Sequence, residues 1–462
     1  MIPLSLVEVA AATAGRLDRV SDLRVVVSGP VVTDSRQVGP GGLFVAVQGE
    51  RVDGHDFSAS AVEAGAVAVL AERPVGVPAV VVDNSVEALG SLARSVVDRL
   101  DETAVVAVTG SSGKTGTKDL LAQVLTVRGP VVAPPESYNT DIGAPLTVLT
   151  ADRSTRTLVL EMGARGIGHI ARLCRVAPPV VGVVLNVGSA HLGEFGDRES
   201  IARAKAELVQ ALPPNGTAVL NADDPMVRRM ADLTEARVLM VGASVHADVR
   251  AQDVRLDSHG HPSFTLMAPD GAAPVTLALV GEHHVANALA VAGVAHAFGL
   301  SAEVVATELG KARAVSRWRM EVHDRPDGIT VVNDAYNANP ESMRAALKAL
   351  VAMAGDRRTW AVLGEMRELG ETSAPEHDSL GRLAVRLDVN RLVAVGEAAR
   401  AVHLGAAHEG SWGDEAAWVP DIEAALDLLR AQLRPGDVVL VKASRAAGLE
   451  RLADALLREV TP

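Results

Sequence analysis

The sequence has very little cysteine, few aromatic residues and no long apolar run. Cys174 is the only cysteine among 462 residues, which excludes an intrachain disulfide and a zinc site built on several cysteines. Aromatic residues make up 2% of the chain although 48% of its residues are hydrophobic, so the predicted cores consist mainly of Ala, Val and Leu. No segment reaches the roughly 18 uninterrupted apolar residues of a membrane-spanning helix, and the first residues lack the basic start of a secretory signal. We therefore expect a soluble cytoplasmic protein without membrane insertion.

The chain is also short of positive charge. It has 44 Lys and Arg against 57 Asp and Glu, a formal net charge of −13 at pH 7. This balance argues against a general nucleic-acid-binding or membrane-surface role, because both need basic surfaces. It does not exclude nucleotides, since a local loop and a metal ion can hold phosphates.

Three blocks follow one another along the chain, in keeping with the roughly 150 residues of an average domain. Short strand-like runs separated by Gly/Pro turns fill residues 1–100, strand and helix patterns alternate over 101–314, and four buried strand patterns with helices between them occupy 315–462. Strands that alternate with helices are typical of α/β layers with parallel sheets. The sequence therefore predicts an α/β protein of three domains.

A phosphate-binding loop is the most informative feature of the central block. The strand-like run Ala104–Thr109 leads into the loop, and a helical pattern follows it. Backbone N–H groups in such a loop cradle phosphates, and the helix N-terminus favours negative charge. We expect Lys114 to reach the outer phosphates and the Thr115 hydroxyl to bind Mg²⁺. An ordinary strand–helix turn is the alternative, because Val108 stands where a strict Walker A loop has glycine. The loop residues are Gly110, Ser111, Ser112, Gly113, Lys114 and Thr115.

Two further strand patterns lead into polar residues. The run Thr157–Glu161 ends on a carboxylate, and Val180–Leu185 is followed by Asn186 and shortly afterwards by His191. Ligands bind outside the carboxyl ends of parallel strands, so we expect these residues to lie near the phosphate loop. A carboxylate suits Mg²⁺, whereas imidazole fits Mn²⁺ better. The alternatives are a helix-capping role for Glu161 and a surface-loop position for His191.

These motifs occur in the order found in the Mur ligases of peptidoglycan synthesis, which the sequence resembles over essentially its whole length. Residues 334–343 are similar to the branch that joins D-alanyl-D-alanine to UDP-N-acetylmuramoyl-tripeptide. The resemblance implies a small N-terminal UDP-binding domain (1–100), a central P-loop ATPase domain with a parallel sheet (101–314) and a C-terminal Rossmann-like acceptor domain (315–462). Besides the phosphate loop, the resemblance is carried by segments 161–163, 186–191, 204–207, 281–290, 334–343, 364–370 and 442–445.

The resemblance implies an ATP-dependent amide-bond ligase that uses ATP and Mg²⁺ and acts as a monomer. The carboxylate of the tripeptide attacks the γ-phosphate of ATP, and the amine of the dipeptide then attacks the resulting acyl phosphate. A carboxylate and a triphosphate repel each other, so Lys114 and Mg²⁺ would bring them together. In the family, the lysine that matches Lys205 is carbamylated and helps to bind a second Mg²⁺, with Glu161 and His191 beside it. From its helical position alone, Lys205 would be a solvated surface residue.

The resemblance also assigns ligand contacts to single residues. Asn287 would contact the adenine and Asp334 the ribose. Arg317 would contact a phosphate as the arginine of the family's Gly-Arg pair, with Ser316 in place of the glycine. The expected contacts of the UDP-peptide are Ser35, Arg36 and His55 for the UDP and Asn139 for the muramoyl-peptide, and those of the acceptor are Asn337, Asn339, Lys442, Ser444 and Arg445. For the three N-terminal residues, plain turn chemistry is the alternative.

Three other functions remain open at this point. A ligase that adds the third residue of the peptide would keep the ATP site but lack the pattern at 336–340. A folate-type amide ligase would not need the first block. A P-loop switch or kinase would need no acceptor site. The third residue of the tripeptide, lysine or diaminopimelate, also stays open.

Overall fold

A computed structural model describes residues 1–49, 52–189, 192–411 and 413–458. Within these residues, three large sheets are built from separate stretches of the chain, 16–81, 104–276 and 321–442. Helices cover the sheets, so the predicted three-domain α/β architecture is confirmed. The domain limits at 100 and 314 stay predictions. No helix in the described part of the chain combines the length and apolar character needed to cross a membrane.

The N-terminal sheet has five strands in the order β2-β7-β6-β5-β4, of which only β2 runs antiparallel to its neighbour. Helix α3 begins after Asn84, whose side-chain oxygen accepts the N–H groups of Val86 and Glu87 and so satisfies two donors of the first turn. Its buried face includes Leu89 and Leu92, which belong to the domain's main core. The elements are β1 (Leu4–Ser5), α1 (Leu6–Ala12), β2 (Arg16–Asp18), β3 (Val26–Val27), β4 (Val31–Val32), β5 (Gly42–Val45), α2 (Ser58–Glu63), β6 (Ala66–Ala71), β7 (Ala79–Val81) and α3 (Ser85–Val97).

The central sheet has nine strands in the order β16-β15-β14-β13-β12-β11-β8-β10-β9. Strands β8 to β14 pair in parallel, and β15 and β16 extend the sheet as antiparallel strands. The elements are β8 (Ala104–Thr109), α4 (Lys114–Val124), β9 (Val131–Val132), α5 (Gly143–Val148), β10 (Thr157–Glu161), α6 (His169–Val176), β11 (Val181–Val184), α7 (Leu192–Phe195), α8 (Arg198–Gln210), β12 (Thr217–Asn221), α9 (Pro225–Arg228), β13 (Arg237–Gly242), β14 (Val249–Leu256), β15 (Pro262–Ala268), β16 (Gly271–Thr276), α10 (His283–Ala297) and α11 (Ala302–Lys311).

Strand β8 lies between β10 and β11 at the centre of this sheet. Its residues Val106 to Val108 are fully buried, as expected for a parallel strand that helices cover on both faces. Glu161 pairs in register with Val108, and Val184 pairs with Thr109. The carboxyl ends of β8, β10 and β11 therefore meet at one edge, where the phosphate loop begins.

The C-terminal sheet has six strands in the order β17-β18-β22-β19-β20-β21, and only β17 is antiparallel. Strands β18 and β22 are neighbours, so the segments after Asn333 and Lys442 leave the same edge of the sheet. The elements are β17 (Glu321–Asp324), β18 (Thr330–Asn333), α12 (Pro340–Ala354), β19 (Thr359–Leu363), α13 (Ser373–Arg386), β20 (Arg391–Val395), α14 (Arg400–Glu409), β21 (Ala416–Val419), α15 (Ile422–Gln432), β22 (Val438–Lys442) and α16 (Glu450–Arg458).

Candidate active site

The phosphate loop connects β8 to α4 and has a conformation that requires glycine. Gly113 precedes the helix with a φ of +82°, a region that glycine enters without steric cost. A Cβ at this position would also lie 2.7 Å from the side-chain oxygen of Asn287. Asn186, at the end of β11, accepts the backbone N–H groups of Ser111 and Ser112, each at 2.9 Å. The neighbouring strand therefore fixes the shape of the loop.

Lys114 begins helix α4 and lies inside the site. Its ammonium group donates a hydrogen bond to the carbonyl oxygen of Gly110 (2.8 Å). Burial lowers the pKa of Lys114, and the nearby Glu161 carboxylate partly offsets this effect. A desolvated cation at the start of a helix is well placed to hold phosphate charge, because few water molecules compete for it.

Oxygen atoms converge around Thr115, one residue further along the helix. The Thr115 hydroxyl donates to Glu161 Oε2 (2.9 Å) and lies 2.9 Å from Ser137 Oγ. The side-chain amide of Asn139 donates to the other carboxylate oxygen of Glu161 (2.7 Å). Hydroxyl and carboxylate oxygens are the ligands that Mg²⁺ prefers, and Mg²⁺ commonly takes one or two protein ligands with phosphate and water as the rest.

No group of three or more His, Cys, Asp or Glu side chains in the described ranges is arranged to hold a metal ion. A divalent cation at this site would therefore depend on Thr115 and Glu161 together with ligand oxygens. This donor set suits Mg²⁺. The predicted ligand His191 lies outside the described residues.

Lys205 lies on α8 and is buried, with 6% of its surface exposed. The sequence-based alternative of a solvated surface lysine is therefore wrong. Burial lowers the pKa of Lys205 well below its ordinary value, and the charge of Lys114 lowers it further. An amine with a strongly lowered pKa is largely neutral and can act as a nucleophile.

A cavity of about 770 Å³ opens beside the loop, between the central and C-terminal domains. A second cavity of about 840 Å³ lies next to it, and Gly116 and Arg319 line both. The sequence-predicted residues that line the first cavity are Ser111, Ser112, Gly113, Lys114, Thr115, Asn139, Glu161, Asn337, Asn339, Ser444 and Arg445.

One side chain ties the C-terminal domain to the loop. The Asn339 side-chain oxygen accepts the N–H of Ser342 (2.9 Å) and so caps α12, while its amide donates to the carbonyl oxygen of Ser111 (3.3 Å). The same amide therefore starts a helix of one domain and contacts the phosphate loop of the other. Asn287, from α10, is also buried beside the loop, against Gly113 and Gly116.

The predicted UDP contacts do not line either of these cavities. Arg36 is exposed and pairs with Asp34 (2.7 Å), and Ser35 lies beside it in the same turn. For these two residues the contact with UDP stays a prediction. His55 is buried, and its ring nitrogens contact the Asp53 carboxylate and the backbone N–H of Glu72. Because both nitrogens are used within the N-terminal domain, the structure gives His55 a structural role instead of a ligand contact.

Lys442 and Asp334 form a buried ion pair rather than two separate ligand contacts. The ammonium group of Lys442 lies 2.6 Å from Asp334 Oδ2 and 2.8 Å from the carbonyl oxygen of Asn337. The other Asp334 oxygen accepts the N–H of Met320 (3.1 Å). Burial lowers the pKa of Lys442, and Asp334 opposes this effect. The structure therefore places Lys442 beneath the cavity wall, where it supports the loop after β18, and not at an acceptor-facing surface.

The arginine at the domain junction is Arg319, not Arg317. Arg317 is exposed, with its guanidinium 5.0 Å from the ring of Trp318. Arg319 instead donates to the hydroxyl groups of Thr115 (3.2 Å) and Ser137 (3.3 Å). Trp318, which precedes it, has a φ of +56°, the conformation that a glycine favours. Trp318 and Arg319 therefore occupy the position of the Gly-Arg pair, two residues after Ser316 and Arg317, the pair that the sequence suggested.

Three other charged or titratable side chains that line this cavity were not predicted from the sequence. Arg165 and His169 follow β10, and Arg367 follows β19. The positions of these three residues after strand ends could have suggested them, because side chains at these ends gather at one edge of a sheet. Arg445, by contrast, is one of the predicted residues: it pairs with Glu450 (2.7 Å), and its guanidinium lies 4.1 Å from the centre of the Trp318 ring.

Three family models match the chain in sequence order: "Mur ligase family, catalytic domain" at residues 30–98, "Mur ligase middle domain" at 108–295 and "Mur ligase, glutamate ligase domain" at 318–445. The chain is 52% identical to the UDP-N-acetylmuramoyl-tripeptide--D-alanyl-D-alanine ligase of Mycobacterium tuberculosis, covering 100% of this chain and 99% of that protein. It is 34% identical to the ligase of the same name from Escherichia coli, covering 92% and 93% of the two chains.

Solved structures give the same result. MurF from Acinetobacter baumannii superimposes with a TM-score of 0.89 at 31% identity, over 99% of both chains. MurF ligase from Thermotoga maritima in complex with ADP superimposes with a TM-score of 0.82 at 33% identity, over 94% of this chain and 98% of that chain. With relatives matched over their full length and three family models in the expected order, the chain belongs to the Mur ligase family.

Proposed function

We propose that this chain is the ATP-dependent ligase that joins D-alanyl-D-alanine to UDP-N-acetylmuramoyl-tripeptide and releases ADP and phosphate. The observation that carries the proposal is the cavity of about 770 Å³ that the phosphate loop shares with segments 336–339 and 444–446. One wall suits a triphosphate, and the other comes from the segments expected to face the acceptor. A phosphate switch would need the first wall alone. We place the reaction in the cytoplasm, with the monomer as the active unit.

The nucleotide would lie along α4 across both cavities. Its phosphates would meet the loop, Lys114 and Arg319, and its adenosine would enter the second cavity, which Gly116 and His284 line. Asn287 is buried between these two residues. An always-charged guanidinium and a desolvated ammonium group on either side of the phosphates would stabilise the charge that develops during transfer.

Mg²⁺ would be held by Thr115 and Glu161, and it would neutralise phosphate charge when bound. The amide of Asn139 fixes the Glu161 carboxylate on its other oxygen (2.7 Å), so one carboxylate oxygen stays turned towards Thr115. Lys205, once carbamylated, would add an anionic oxygen ligand, and because burial lowers the pKa of the amine it favours the neutral form, which is the form that reacts with CO₂. His191 would complete this set.

The reaction has two steps. A carboxylate oxygen of the tripeptide forms a bond to the γ-phosphorus while the bond to the β,γ-bridging oxygen breaks, so ADP leaves. The dipeptide amine then forms a bond to the acyl carbon, loses a proton, and phosphate leaves from the tetrahedral intermediate. The chain's part is to align the reacting groups, stabilise charge and keep water from the acyl phosphate.

The test is phosphate release measured with a panel of UDP-muramoyl peptides and amino acceptors. We expect turnover only when a UDP-muramoyl-tripeptide and D-alanyl-D-alanine are both present, with a product mass equal to their sum minus water. Comparing tripeptides that end in lysine or diaminopimelate identifies the third residue. Turnover with a UDP-muramoyl-dipeptide and a single amino acid would assign the chain to the third-residue ligases instead. Phosphate release without any acceptor would favour a switch.

A further inference from the structure

A polar stripe runs along the helix that carries the phosphate loop. Thr115, Asp119 and Gln123 are spaced four residues apart on α4, so they share one face of the helix. The linker 313–319, which leads from α11 towards β17, lies along this face and runs in the opposite direction. The stripe therefore joins the nucleotide-binding helix to the connection between two domains.

The linker is held on the stripe through its backbone. The Gln123 side chain makes two reciprocal hydrogen bonds with Arg313: its amide donates to the Arg313 carbonyl, and its oxygen accepts the Arg313 N–H, both at 3.0 Å. One turn earlier, Asp119 Oδ2 accepts the N–H of Ser316 (3.2 Å). Because these contacts use backbone groups, they fix the path of the linker whatever side chains it carries.

The third contact of the linker with α4 places the guanidinium of Arg319 at the phosphate site. Arg319 donates to the hydroxyl of Thr115 at the start of the same helix face (3.2 Å). The residues on either side of Arg319 adopt backbone conformations that are unfavourable for residues with side chains, with a φ of +56° at Trp318 and +49° at Met320. Such conformations persist where the surroundings fix them. On the C-terminal side of Arg319, the N–H of Met320 donates to Asp334 (3.1 Å); on the N-terminal side, the contacts of the linker with Asp119 and Gln123 fix the path of the backbone.

We propose that Asp119 and Gln123 are positioning residues, which seat the linker on α4 so that the Arg319 guanidinium faces the nucleotide phosphates. Neither side chain needs to touch the nucleotide. Both act through the linker, and the helix that holds the phosphates also holds the arginine that closes over them. This inference depends on the proposed function only where it concerns turnover. The positioning role itself can be tested through nucleotide binding, which needs neither the UDP-peptide nor the dipeptide.

The test is a double-mutant cycle on the affinity for a nonhydrolysable ATP analogue, measured by calorimetry on the full chain. Arg319→Ala removes the cation, and Gln123→Ala removes the anchor. We expect Gln123→Ala to weaken binding roughly tenfold, the scale of losing a pair of hydrogen bonds. In the Arg319→Ala background, Gln123→Ala should change the affinity less than about twofold, because the group that it positions is gone.

Thr126→Ala is the matched control. The Thr126 hydroxyl donates to the Gln123 carbonyl (2.6 Å) at the end of the same helix, so this variant removes a local hydrogen bond without touching the linker. It should bind the analogue like the wild type. Asp119→Ala serves as a second anchor variant, because it removes the acceptor of the Ser316 N–H while the buried Lys118 keeps its hydrogen bond to the Pro134 carbonyl oxygen. It should weaken binding in the wild-type background and not in the Arg319→Ala background.

Equal losses in both backgrounds would overturn the proposal, because they would mean that Gln123 acts independently of Arg319. An unchanged affinity in Gln123→Ala with a lowered melting temperature would overturn it too, since that result describes a purely structural contact. A wild-type chain that binds the analogue but does not couple the two substrates would contradict the proposed ligase function. The binding cycle would still decide the positioning role.

Discussion

The Lys114 ammonium group lies 2.8 Å from the carbonyl oxygen of Gly110, so the phosphate loop holds its own lysine in place. Lys114→Ala should abolish turnover and leave the fold intact, because it removes one cation that faces developing phosphate charge. We expect the barrier to rise by about 2.7 kcal/mol or more, roughly a hundredfold loss of rate. Phosphate release measures the effect, with circular dichroism as the check on folding. Lys311→Ala, at a largely exposed lysine, is the control, and near-normal rates in Lys114→Ala would contradict the assignment.

Lys205 gives the second prediction. Lys205→Ala should be nearly inactive if a carbamate on this buried amine is needed, and short-chain carboxylic acids should restore part of the rate by filling the vacated anionic position. Because burial lowers the pKa of Lys205, the wild-type enzyme should also lose activity in CO₂-depleted buffer and regain it with bicarbonate. Labelling with ¹³CO₂ would report the carbamate by NMR. A fully active Lys205→Ala variant would show that the lysine is not needed.

Mutation should distinguish the roles of Arg317 and Arg319, the two arginines of the domain junction. Arg319→Ala should lower the turnover number by roughly a hundredfold, the scale of one lost charge contact in the transition state. Arg317→Ala should stay within about twofold of the wild type, since this side chain is exposed and stacks only on Trp318. Steady-state phosphate release on both variants decides between them. The opposite pattern would restore the sequence-based assignment.

This pair also shows where sequence reasoning reached its limit. The phosphate loop and Glu161 could be predicted because hydrophobic runs define parallel strands, and the polar ends of adjacent parallel strands meet at one edge. Ser316-Arg317 and Trp318-Arg319 are both plausible matches to a Gly-Arg pair as sequence. The three-dimensional structure distinguishes them, by a φ of +56° at Trp318 and by the contact of Arg319 with Thr115.

The other departures have a common physical cause. The ring of His55 accepts a hydrogen bond from the backbone N–H of Glu72, 17 residues away. The ammonium group of Lys442 pairs with the carboxylate of Asp334, 108 residues away. A polar residue after a strand can face a ligand or satisfy a distant buried group, and its local sequence is the same in both cases. Partners this far along the chain are set by tertiary packing, which local patterns do not report.

Acid should destabilise the chain through His283, at the start of α10. Burial lowers its pKa to about 4, and Asp334 opposes while Lys442 adds to this effect. In the unfolded chain the pKa is about 6.5, so between these values the unfolded state binds more protons and stability falls as the pH falls. The loss from this group amounts to about 2 kcal/mol between pH 7 and pH 5.

Thermal or denaturant unfolding across this pH range measures the effect. The pH dependence should be shallower in His283→Asn, although some of it will remain because burial also lowers the pKa of the neighbouring His284. His408→Asn, at an exposed histidine of the C-terminal domain, should leave the slope unchanged. Parallel curves for His283→Asn and the wild type would contradict the prediction.

Ser189 and Glu341 connect the central and C-terminal domains in the arrangement described here. The N–H and hydroxyl of Ser189 both donate to Glu341 Oε1, at 2.9 and 3.0 Å. Together with the contacts that Asn339 and Arg319 make with the central domain, these few hydrogen bonds are weak restraints on a whole domain, and motion between domains is the default when an interface is modest. The C-terminal block begins near Val315, but its first residues are held on α4 as part of the linker 313–319. We therefore expect the part of the C-terminal domain that follows this linker to swing as a rigid body and to close over the nucleotide.

Closure has a chemical reason, because water would otherwise hydrolyse the acyl phosphate and waste ATP. Small-angle scattering should give the free protein a larger radius of gyration than this structure, and the radius should fall when a nonhydrolysable ATP analogue and the UDP-peptide are both present. Glu341→Ala should enlarge the free protein further, whereas Glu341→Gln keeps the acceptor oxygen and should behave like the wild type. A radius that matches this structure without ligands and does not change when they are added would rule out the closing motion.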